Sequence, residues 1–248
     1  MRVIGIIPAR YASTRYPGKP LIDIAGKTMI QRVYEQAKKC SGFEKVIIAT
    51  DDQRIQNEAL RIGAEVIMTS EDHPSGTDRC FEAYEKSGFN GDFIINIQGD
   101  EPFIDPGQLE ALIDILDPQK VELATLAKKI TDPGRLIDAN SVKVVFDKNW
   151  DAIYFSRHPI PFNRDEPEIS NWLSHNDYFK HIGIYAYRSD VLKAICKLER
   201  SNLEISESLE QLRWIENGFK IKLAFTDLES PNIDSPADLE KLKNQGLI

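Results

Sequence analysis

The first half of the chain alternates short apolar runs with amphipathic segments, and this rhythm limits the folds that the chain can adopt. The apolar runs, which predict strands, lie at residues 2–7, 45–49, 65–68 and 92–97. The segments with helical spacing of apolar side chains lie at residues 28–40, 51–62, 77–86 and 106–116. Strands that alternate with helices predict an α/β fold, in which a mostly parallel sheet carries helices on both faces.

The second half of the chain has shorter connections between its elements. We predict strands at residues 123–127, 142–146, 152–155, 182–187 and 220–225, and helices at residues 190–197, 206–217 and 236–245. Residues 157–180 are rich in proline and aromatic residues and show no regular pattern. Because no linker or composition break divides the chain, we predict a single domain over residues 1–248, with residues 157–180 as an extended excursion.

Composition excludes several classes of protein. The 248 residues include 31 Lys and Arg against 39 Asp and Glu, and the net charge of −8 argues against nucleic-acid binding. No apolar stretch approaches the roughly 20 residues of a membrane helix, and the first run is too short for a signal peptide. Cys40, Cys80 and Cys196 are too widely spaced for a disulfide framework or a zinc site. We therefore predict a cytoplasmic protein with no membrane insertion.

A basic loop follows the first predicted strand directly. Arg10, Arg15 and Lys19 place three cations within ten residues, with no acidic residue among them. Small residues in the same loop, such as Ser13 and Gly18, allow backbone N–H groups to approach a ligand closely. Cations and amides along one face are what a triphosphate requires, so we favour a phosphate-binding loop over a merely solvated one.

The fourth predicted strand runs into a glycine and two carboxylates. Gly99 lets the chain bend so that Asp100 can face a cleft at the strand end. Such a carboxylate suits Mg²⁺, which bridges one or two carboxylates to substrate phosphates. A second carboxylate is expected near the last helix, and the residues alone leave the choice open among Asp227, Asp234 and Asp238.

Two further segments carry polar residues at predicted element ends. Ser75 and Gly76 precede a predicted helix whose amides and Arg79 form an anion-friendly site. His73, in the same loop, is as well explained by a structural turn as by a ligand contact. His181 stands at the head of a strand, and no histidine pair has the spacing of metal ligands.

Taken in order, the motifs resemble those of the 3-deoxy-manno-octulosonate (Kdo) cytidylyltransferase family. The resemblance covers nearly the whole chain and is carried by residues 7–21, 49–52, 73–79, 96–102, 140–145, 154–161, 180–187, 209–218 and 233–240. It implies a Rossmann-like mixed sheet of the nucleotide-diphospho-sugar transferase type and a homodimer with the excursion at its interface. It also implies that CTP activates Kdo to CMP-Kdo, with release of pyrophosphate, for lipopolysaccharide biosynthesis.

The resemblance also assigns residues to the substrates. Those implied to bind CTP are Pro8, Ala9, Arg10, Ser13, Lys19, Ser75, Gly76 and Gln98. Those implied to bind the sugar acid are Arg15, Arg79, Arg157, His181, Tyr185, Glu210 and Gln211, with Arg157 and His181 expected to meet its carboxylate. Asp100 and Asp234 are implied to hold Mg²⁺, and Lys19, Arg10 and Asp100 to act in catalysis.

Two departures from the family pattern leave the sugar open. Tyr16 stands where many relatives have leucine, and His158 follows Ser156 and Arg157. These changes are compatible with an 8-amino analogue of Kdo. A separate alternative is an enzyme of the same class that acts on another sugar acid, such as a sialic acid. A non-catalytic CTP-binding regulator is the alternative from a different class, although binding alone would not need paired metal-binding carboxylates.

Overall fold

The apolar runs of the first half pair as a parallel sheet. In chain order the strands here are β1 (Val3–Ala9), β2 (Asp23–Ile24), β3 (Lys27–Thr28), β4 (Lys45–Thr50), β5 (Glu65–Met68) and β6 (Phe93–Asn96). Four of them lie side by side and parallel in the order β6, β1, β4, β5. Residues 46–50 of β4 are all buried. Because alternate side chains of a strand point to opposite faces, this burial shows that both faces of the sheet are covered.

The helices that follow these strands are α1 (Met29–Ala37), α2 (Gln53–Arg61), α3 (Gly76–Lys86) and α4 (Pro106–Asp114). Local chemistry sets where they begin. The Asp52 carboxylate accepts the Arg54 N–H at 2.8 Å at the start of α2, and the Ser75 hydroxyl caps α3. Between β2 and β3, Ala25 and Gly26 have φ of 49° and 81°, the left-handed pair that a tight hairpin turn requires.

The computed structural model describes residues 1–12, 16–231, 233 and 235–244, which fall into two compact units. The first unit contains Met1–Ile113 and the segment from Glu229 onward, and the second contains Asp114–Leu228. Single-domain organisation over residues 1–248 therefore stays a prediction. Ser13, Arg15 and Asp234 lie outside the described residues, and their predicted roles also stay predictions.

The second unit has a mixed sheet. Its strands are β7 (Leu123–Lys129), β8 (Lys143–Phe146), β9 (Ala152–Ser156), β10 (Phe179–Arg188) and β11 (Ile221–Phe225). Strand β7 pairs parallel with β11 and antiparallel with β10, while β8 pairs antiparallel with β10 and β9. The remaining helices of the chain are α5 (Pro133–Ile137), α6 (Ser189–Ile195), α7 (Asn202–Glu207), α8 (Glu210–Glu216) and, in the first unit, α9 (Pro236–Asn244).

One predicted helix is wrong. The segment at residues 206–217 belongs to two helices, because Ser208 adopts a left-handed conformation with φ of 51° and ends α7. A capping box of Ser201 and Glu204 starts α7 upstream of the predicted boundary. The break falls on a serine, and no glycine marks it in the sequence.

The excursion contains little regular structure, as predicted. Its regular parts are a 3-10 turn at Ile169–Ser174 and the first two residues of β10. In the turn, Trp172 is buried and donates its indole N–H to the Glu166 carbonyl at 2.8 Å. The elements of both units confirm an α/β fold with a mostly parallel sheet flanked by helices. Among the described residues, none of the helices has the length and apolar character that crossing a bilayer would take.

Close packing of two backbone segments sets the geometry at one end of the first sheet. Strands β1 and β6 are parallel neighbours, so their carboxyl ends lie at the same edge. Beyond β6, the Ile97 N–H donates to the Ile6 carbonyl at 2.9 Å. A Cβ on Gly99 would stand 2.6 Å from the Pro8 carbonyl oxygen, so only glycine fits here without a shift of the backbone.

We expect Gly99→Ala to lower the free energy of unfolding by about 1–3 kcal/mol, the usual cost of overpacking, because the new methyl group meets a rigid carbonyl. Denaturant titration of the purified variant measures the change. Gly183→Ala is the matched control, since its methyl group would enter open space and its φ is not positive. Equal unfolding free energies for the two variants would contradict the steric argument.

Candidate active site

A cavity of about 270 Å³ opens at the carboxyl ends of β1 and β6 and beside the first turn of α3. We call it the strand-end cavity. The residues that line it are Pro8, Ala9, Arg10, Lys19, Pro20, His73, Pro74, Ser75, Gly76, Arg79, Gln98, Gly99 and Asp100. Each described residue that was predicted to bind CTP is in this lining, together with Asp100 and Arg79. The structure therefore brings these residues together, while their binding roles stay predictions.

An ion pair connects the two loops that form the cavity wall. The Lys19 ammonium donates to the Asp100 Oδ2 at 2.8 Å. Lys19 is only 8% exposed, whereas the Asp100 side chain is 45% exposed. Such a half-exposed pair contributes only about 1 kcal/mol or less to stability. Its main effect is to hold the ammonium group at the cavity surface in a defined position.

The backbone of the basic loop has its own anchor. Gly18 has φ of 72°, and its N–H donates to the Tyr11 carbonyl at 3.0 Å. A Cβ on Gly18 would stand 3.1 Å from the Tyr11 ring. The Arg54 guanidinium stacks on the same Tyr11 ring, with its central carbon 3.2 Å from the ring centroid. These contacts place Lys19 at the start of the 3-10 turn Lys19–Leu21.

Arg10 differs from the other cations of the cavity. It is exposed, and its guanidinium forms no ion pair with any residue that the structure describes. Among the described residues, the cavity lining thus contains three cations, Arg10, Lys19 and Arg79, against the single carboxylate of Asp100. This local excess of positive charge suits an anionic ligand even though the whole chain carries −8.

Arg79 is a buried cation with two partners. Its Nη2 donates to the Asp51 Oδ2 at 2.6 Å, and its Nη1 donates to the Thr69 Oγ1 at 2.5 Å. The side chain of Arg79 is 4% exposed, so the loss of Asp51 would leave a buried charge unpaired, at a cost on the order of 3–5 kcal/mol. Arg79 therefore joins the ends of β4 and β5 while it lines the cavity. Its predicted sugar contact stays a prediction.

The N-terminus of α3 forms another part of the wall. The Ser75 hydroxyl accepts the Asp78 N–H at 3.3 Å and donates to the Asp78 carboxylate at 2.6 Å. With Ser75 and Gly76 in the lining, this eleven-residue helix begins at the cavity, where its first N–H groups and its dipole favour an anion.

Sequence reasoning missed the acid that holds the loop before α3. Glu82 accepts the Ser70 N–H at 2.8 Å, pairs with Lys86 at 2.6 Å and is hydrogen-bonded to His73. Burial raises its pKa, but these hydrogen bonds outweigh burial and lower the pKa to about 2. The loop is therefore held by a carboxylate that stays charged at any physiological pH. No motif pointed to Glu82, because its role depends on tertiary contacts.

In the second unit, the structure groups several residues that were predicted to bind the sugar. The rings of His181 and Tyr185 on β10 lie 5.3 Å apart between centroids, and the Tyr185 ring lies 5.1 Å from that of Trp214 on α8. The neighbouring Glu210 and Gln211 begin α8. The Tyr185 hydroxyl and the Gln211 Nε2 are buried and have no hydrogen-bond partner among the described residues.

Burial sets the charge of these side chains. It raises the pKa of the Tyr185 hydroxyl well above 10 and lowers the pKa of His181 to about 3. Both side chains are thus neutral at pH 7. That His181 meets the sugar carboxylate stays a prediction. The two remain potential donors and acceptors of hydrogen bonds.

Arg157 is engaged with the backbone. Its guanidinium donates to the carbonyl oxygens of Glu207, Ala139 and Ser208 at 2.7, 3.0 and 3.3 Å. The Glu207 carboxylate in turn accepts the Arg157 N–H at 2.9 Å. These bonds fix the turn between α7 and α8, which sequence reasoning did not foresee. A direct contact of Arg157 with the sugar carboxylate stays a prediction.

Comparison with known proteins agrees with the resemblance. A family model described as cytidylyltransferase matches residues 4–221. The chain is 55% identical to the 3-deoxy-manno-octulosonate cytidylyltransferase of Cytophaga hutchinsonii over 96% of this chain and 94% of that protein. It is 46% identical to the 8-amino-3,8-dideoxy-manno-octulosonate cytidylyltransferase of Shewanella frigidimarina, over 97% of each chain.

A solved structure is similar over the full length. It is a CMP:2-keto-3-deoxy-manno-octonic acid synthetase complexed with CTP, with a TM-score of 0.90 and 42% identity over 100% of this chain and 99% of that one. On the match of the family model, and on the identity to relatives over nearly the whole chain, this chain belongs to the cytidylyltransferase family.

Proposed function

We propose that this chain is a cytidylyltransferase that activates Kdo with CTP to give CMP-Kdo and pyrophosphate. The observation that carries the proposal is the strand-end cavity, where Arg10, Lys19 and the start of α3 face the Asp100 carboxylate. The similar proteins support the sugar acid, because the relative from Cytophaga hutchinsonii, which is named for Kdo, is 55% identical to this chain. CMP-Kdo would serve lipopolysaccharide biosynthesis, and we place the enzyme in the cytoplasm, where CTP is made.

The cavity supports the binding of a triphosphate. Arg10 is exposed and has no acidic partner among the described residues, so it can pair with the pyrophosphate end of CTP. Lys19 is held by Asp100, and its ammonium can meet the oxygens where negative charge develops. The N–H groups at the start of α3 add donors, and Gln98 lines the cavity as the predicted contact of cytosine.

The reaction needs positioning and charge neutralisation more than a protein nucleophile. The anomeric hydroxyl of the sugar acid attacks the α-phosphorus of CTP in line and loses its proton to water, while the bond from the α-phosphorus to the bridging oxygen breaks and pyrophosphate leaves. Lys19 stabilises the charge on the α-phosphate and the leaving oxygen. Arg10 holds the pyrophosphate so that it stays aligned with the attacking hydroxyl.

We also propose Mg²⁺ as the cofactor. Asp100 fits this ion, since Mg²⁺ needs only one or two carboxylates beside water and substrate phosphates. The Asp100 Oδ1 has no hydrogen-bond partner among the described residues, and its side chain is half exposed at the cavity. No group of three metal-binding side chains occurs in the part of the chain that the structure describes. Bound Mg²⁺ would neutralise phosphate charge, with Asp234 as the second proposed ligand.

Within the second unit, we propose that His181, Tyr185 and Gln211 hold the sugar acid, together with Glu210. The Tyr185 hydroxyl and the Gln211 Nε2 are buried there without a hydrogen-bond partner among the described residues, and burial of an unsatisfied polar group costs about 1–3 kcal/mol. The hydroxyl groups of a sugar acid would supply the missing hydrogen bonds. The relative from Shewanella frigidimarina makes 8-amino-Kdo the second candidate substrate.

We further propose a homodimer with the excursion at its interface. Phe162 in the excursion is 73% exposed and packs edge-on against Trp172, with 5.3 Å between the ring centroids. An exposed aromatic side chain of this size suits a surface that a second copy covers, because its burial contributes about 1.5–3 kcal/mol.

A substrate panel tests the proposed reaction. We expect pyrophosphate release from CTP and Mg²⁺ to be fastest with Kdo when Kdo, 8-amino-Kdo, N-acetylneuraminic acid and glucose 1-phosphate are compared in a coupled phosphate assay. Chelation of the divalent cation with EDTA should stop the release, and added Mg²⁺ should restore it. The proposal fails if no sugar acid supports release. Tight CTP binding without release would then favour a non-catalytic regulator.

We expect Lys19→Met to lower kcat/KM for CTP by about 100-fold or more, because the change removes one donor to an oxygen on which negative charge develops. Steady-state kinetics with saturating sugar acid measure the loss. Lys27→Met is the matched control, because Lys27 pairs with Glu35 on the surface outside the cavity lining and its loss should leave kinetics unchanged. A folded Lys19→Met protein with normal turnover would exclude the catalytic role of Lys19.

Sedimentation velocity tests the assembly. We expect a mass of twice the 28.2 kDa of the chain, and a shift toward the monomer in Phe162→Ser. Ile153→Ser is the matched control, since Ile153 is also exposed, at 56%, but lies on β9 outside the excursion. A monomer in the unaltered protein, or dissociation caused by Ile153→Ser and not by Phe162→Ser, would overturn the proposed interface.

A further inference from the structure

Thr125 lies fully buried on β7, opposite an irregularity in β10. The pairing of β10 with β7 shifts register between Ile182 and Tyr185, so a bulge stands across from Thr125. The Thr125 hydroxyl oxygen lies 2.7 Å from the Ile184 carbonyl oxygen and 3.1 Å from the Ile182 carbonyl oxygen. It also lies 2.9 Å from the His181 Nε2.

The single proton of this hydroxyl decides the tautomer of His181. Carbonyl oxygens only accept, so the Thr125 proton must point to the bulge, most directly to the Ile184 oxygen at 2.7 Å. If the proton pointed instead to His181, the Thr125 oxygen would face the carbonyl oxygens of Ile182 and Ile184 with no proton between them, and these contacts would be repulsive. The contact with His181 is therefore an Nε2–H that donates to the Thr125 oxygen.

The opposite nitrogen of the ring remains available. His181 Nδ1 has no hydrogen-bond partner among the described residues. The ring is held edge-on to Phe155, at 5.0 Å between centroids, and lies 5.3 Å from the Tyr185 ring. Since burial lowers the pKa of His181 to about 3, the imidazole is neutral at pH 7 and Nδ1 carries a lone pair.

Two buried donors in the same unit also lack partners. The buried Tyr185 hydroxyl lacks a hydrogen-bond partner among the described residues, and its raised pKa keeps the proton on the oxygen. The Gln211 Nε2 is a second buried donor of this kind. One acceptor together with two such donors matches uncharged hydroxyl groups, which can both donate and accept.

We propose that Thr125 is a positioning residue that locks His181 as its Nε2–H tautomer, so that Nδ1 accepts a hydrogen bond from a hydroxyl group of the sugar substrate. This inference rests on the proposed function and assigns His181 to a hydroxyl rather than to the carboxylate. It adds Thr125, which no sequence motif singled out, to the residues that determine sugar recognition. Loss of the Thr125 hydroxyl should therefore weaken the binding of the sugar acid and leave the binding of CTP unchanged.

Two variants separate this role from a structural one. Thr125→Val keeps the shape of the side chain and removes the hydroxyl, whereas Thr125→Ser keeps the hydroxyl. We expect Thr125→Val to raise KM for the sugar acid about 10-fold, the value of one lost hydrogen bond, while KM for CTP stays unchanged. Thr125→Ser should restore the original KM. Denaturant midpoints show whether each variant is folded.

The tautomer itself is measured by long-range ¹H–¹⁵N NMR of the imidazole nitrogens at pH 7, with His181→Gln to assign the signals. We expect a protonated Nε2 and a bare Nδ1 in the unaltered protein and in Thr125→Ser, and loss of this single tautomer in Thr125→Val. Addition of the sugar acid without CTP should shift the Nδ1 signal.

The outcomes separate the inference from the function on which it rests. A protonated Nδ1 in the unaltered protein, or the same tautomer and sugar KM in Thr125→Val, would overturn the role of Thr125. The spectrum of the unaltered protein needs neither turnover nor a folded Thr125→Val, so the first of these outcomes decides the matter even if that variant does not fold. If no sugar acid releases pyrophosphate, the proposed function fails, while the NMR spectrum still decides whether Thr125 sets the tautomer.

Discussion

The parallel pairing of β1 with β6 is the constraint on which the candidate site depends. It places the ends of the two strands at one edge, so that Pro8 and Gly99 meet at a distance that no other residue at position 99 would tolerate. This contact lets the loop after β6 deliver Asp100 to Lys19, which lies on the loop after β1. The shape of the cavity thus depends on the order of the strands and on the glycine at position 99.

Charge acts on a local scale in this molecule. The whole chain has a net charge of −8, yet the described part of the cavity lining contains three cations, two of which are held by carboxylates within the first unit. Lys19 and Arg79 are therefore fixed in place before a ligand arrives, and only Arg10 is exposed without an ionic partner among the described residues. Preorganised cations bind an anion without a further cost of ordering their side chains.

In the second unit, the region around His181 and Tyr185 contains neutral polar groups. Burial removes the charge from His181 and keeps the proton on Tyr185, so the chemistry of this region is that of hydrogen-bond donors and acceptors. Neutral groups of this kind recognise a hydroxyl group by the direction of its hydrogen bonds and not by its charge. It contrasts with the first unit, where cations and a helix N-terminus suit phosphates.

The amino-acid sequence by itself determined the α/β class, the basic loop and the acidic turn, because apolar periodicity and residue type act locally along the chain. It did not reveal the break at Ser208, since a left-handed serine has no distinct sequence signal. Only the tertiary structure decided that Asp51 neutralises Arg79, that Arg157 binds carbonyl oxygens and that Thr125 is hydrogen-bonded to His181. These partners are far apart in the sequence, and contacts of that kind arise from strand pairing and packing.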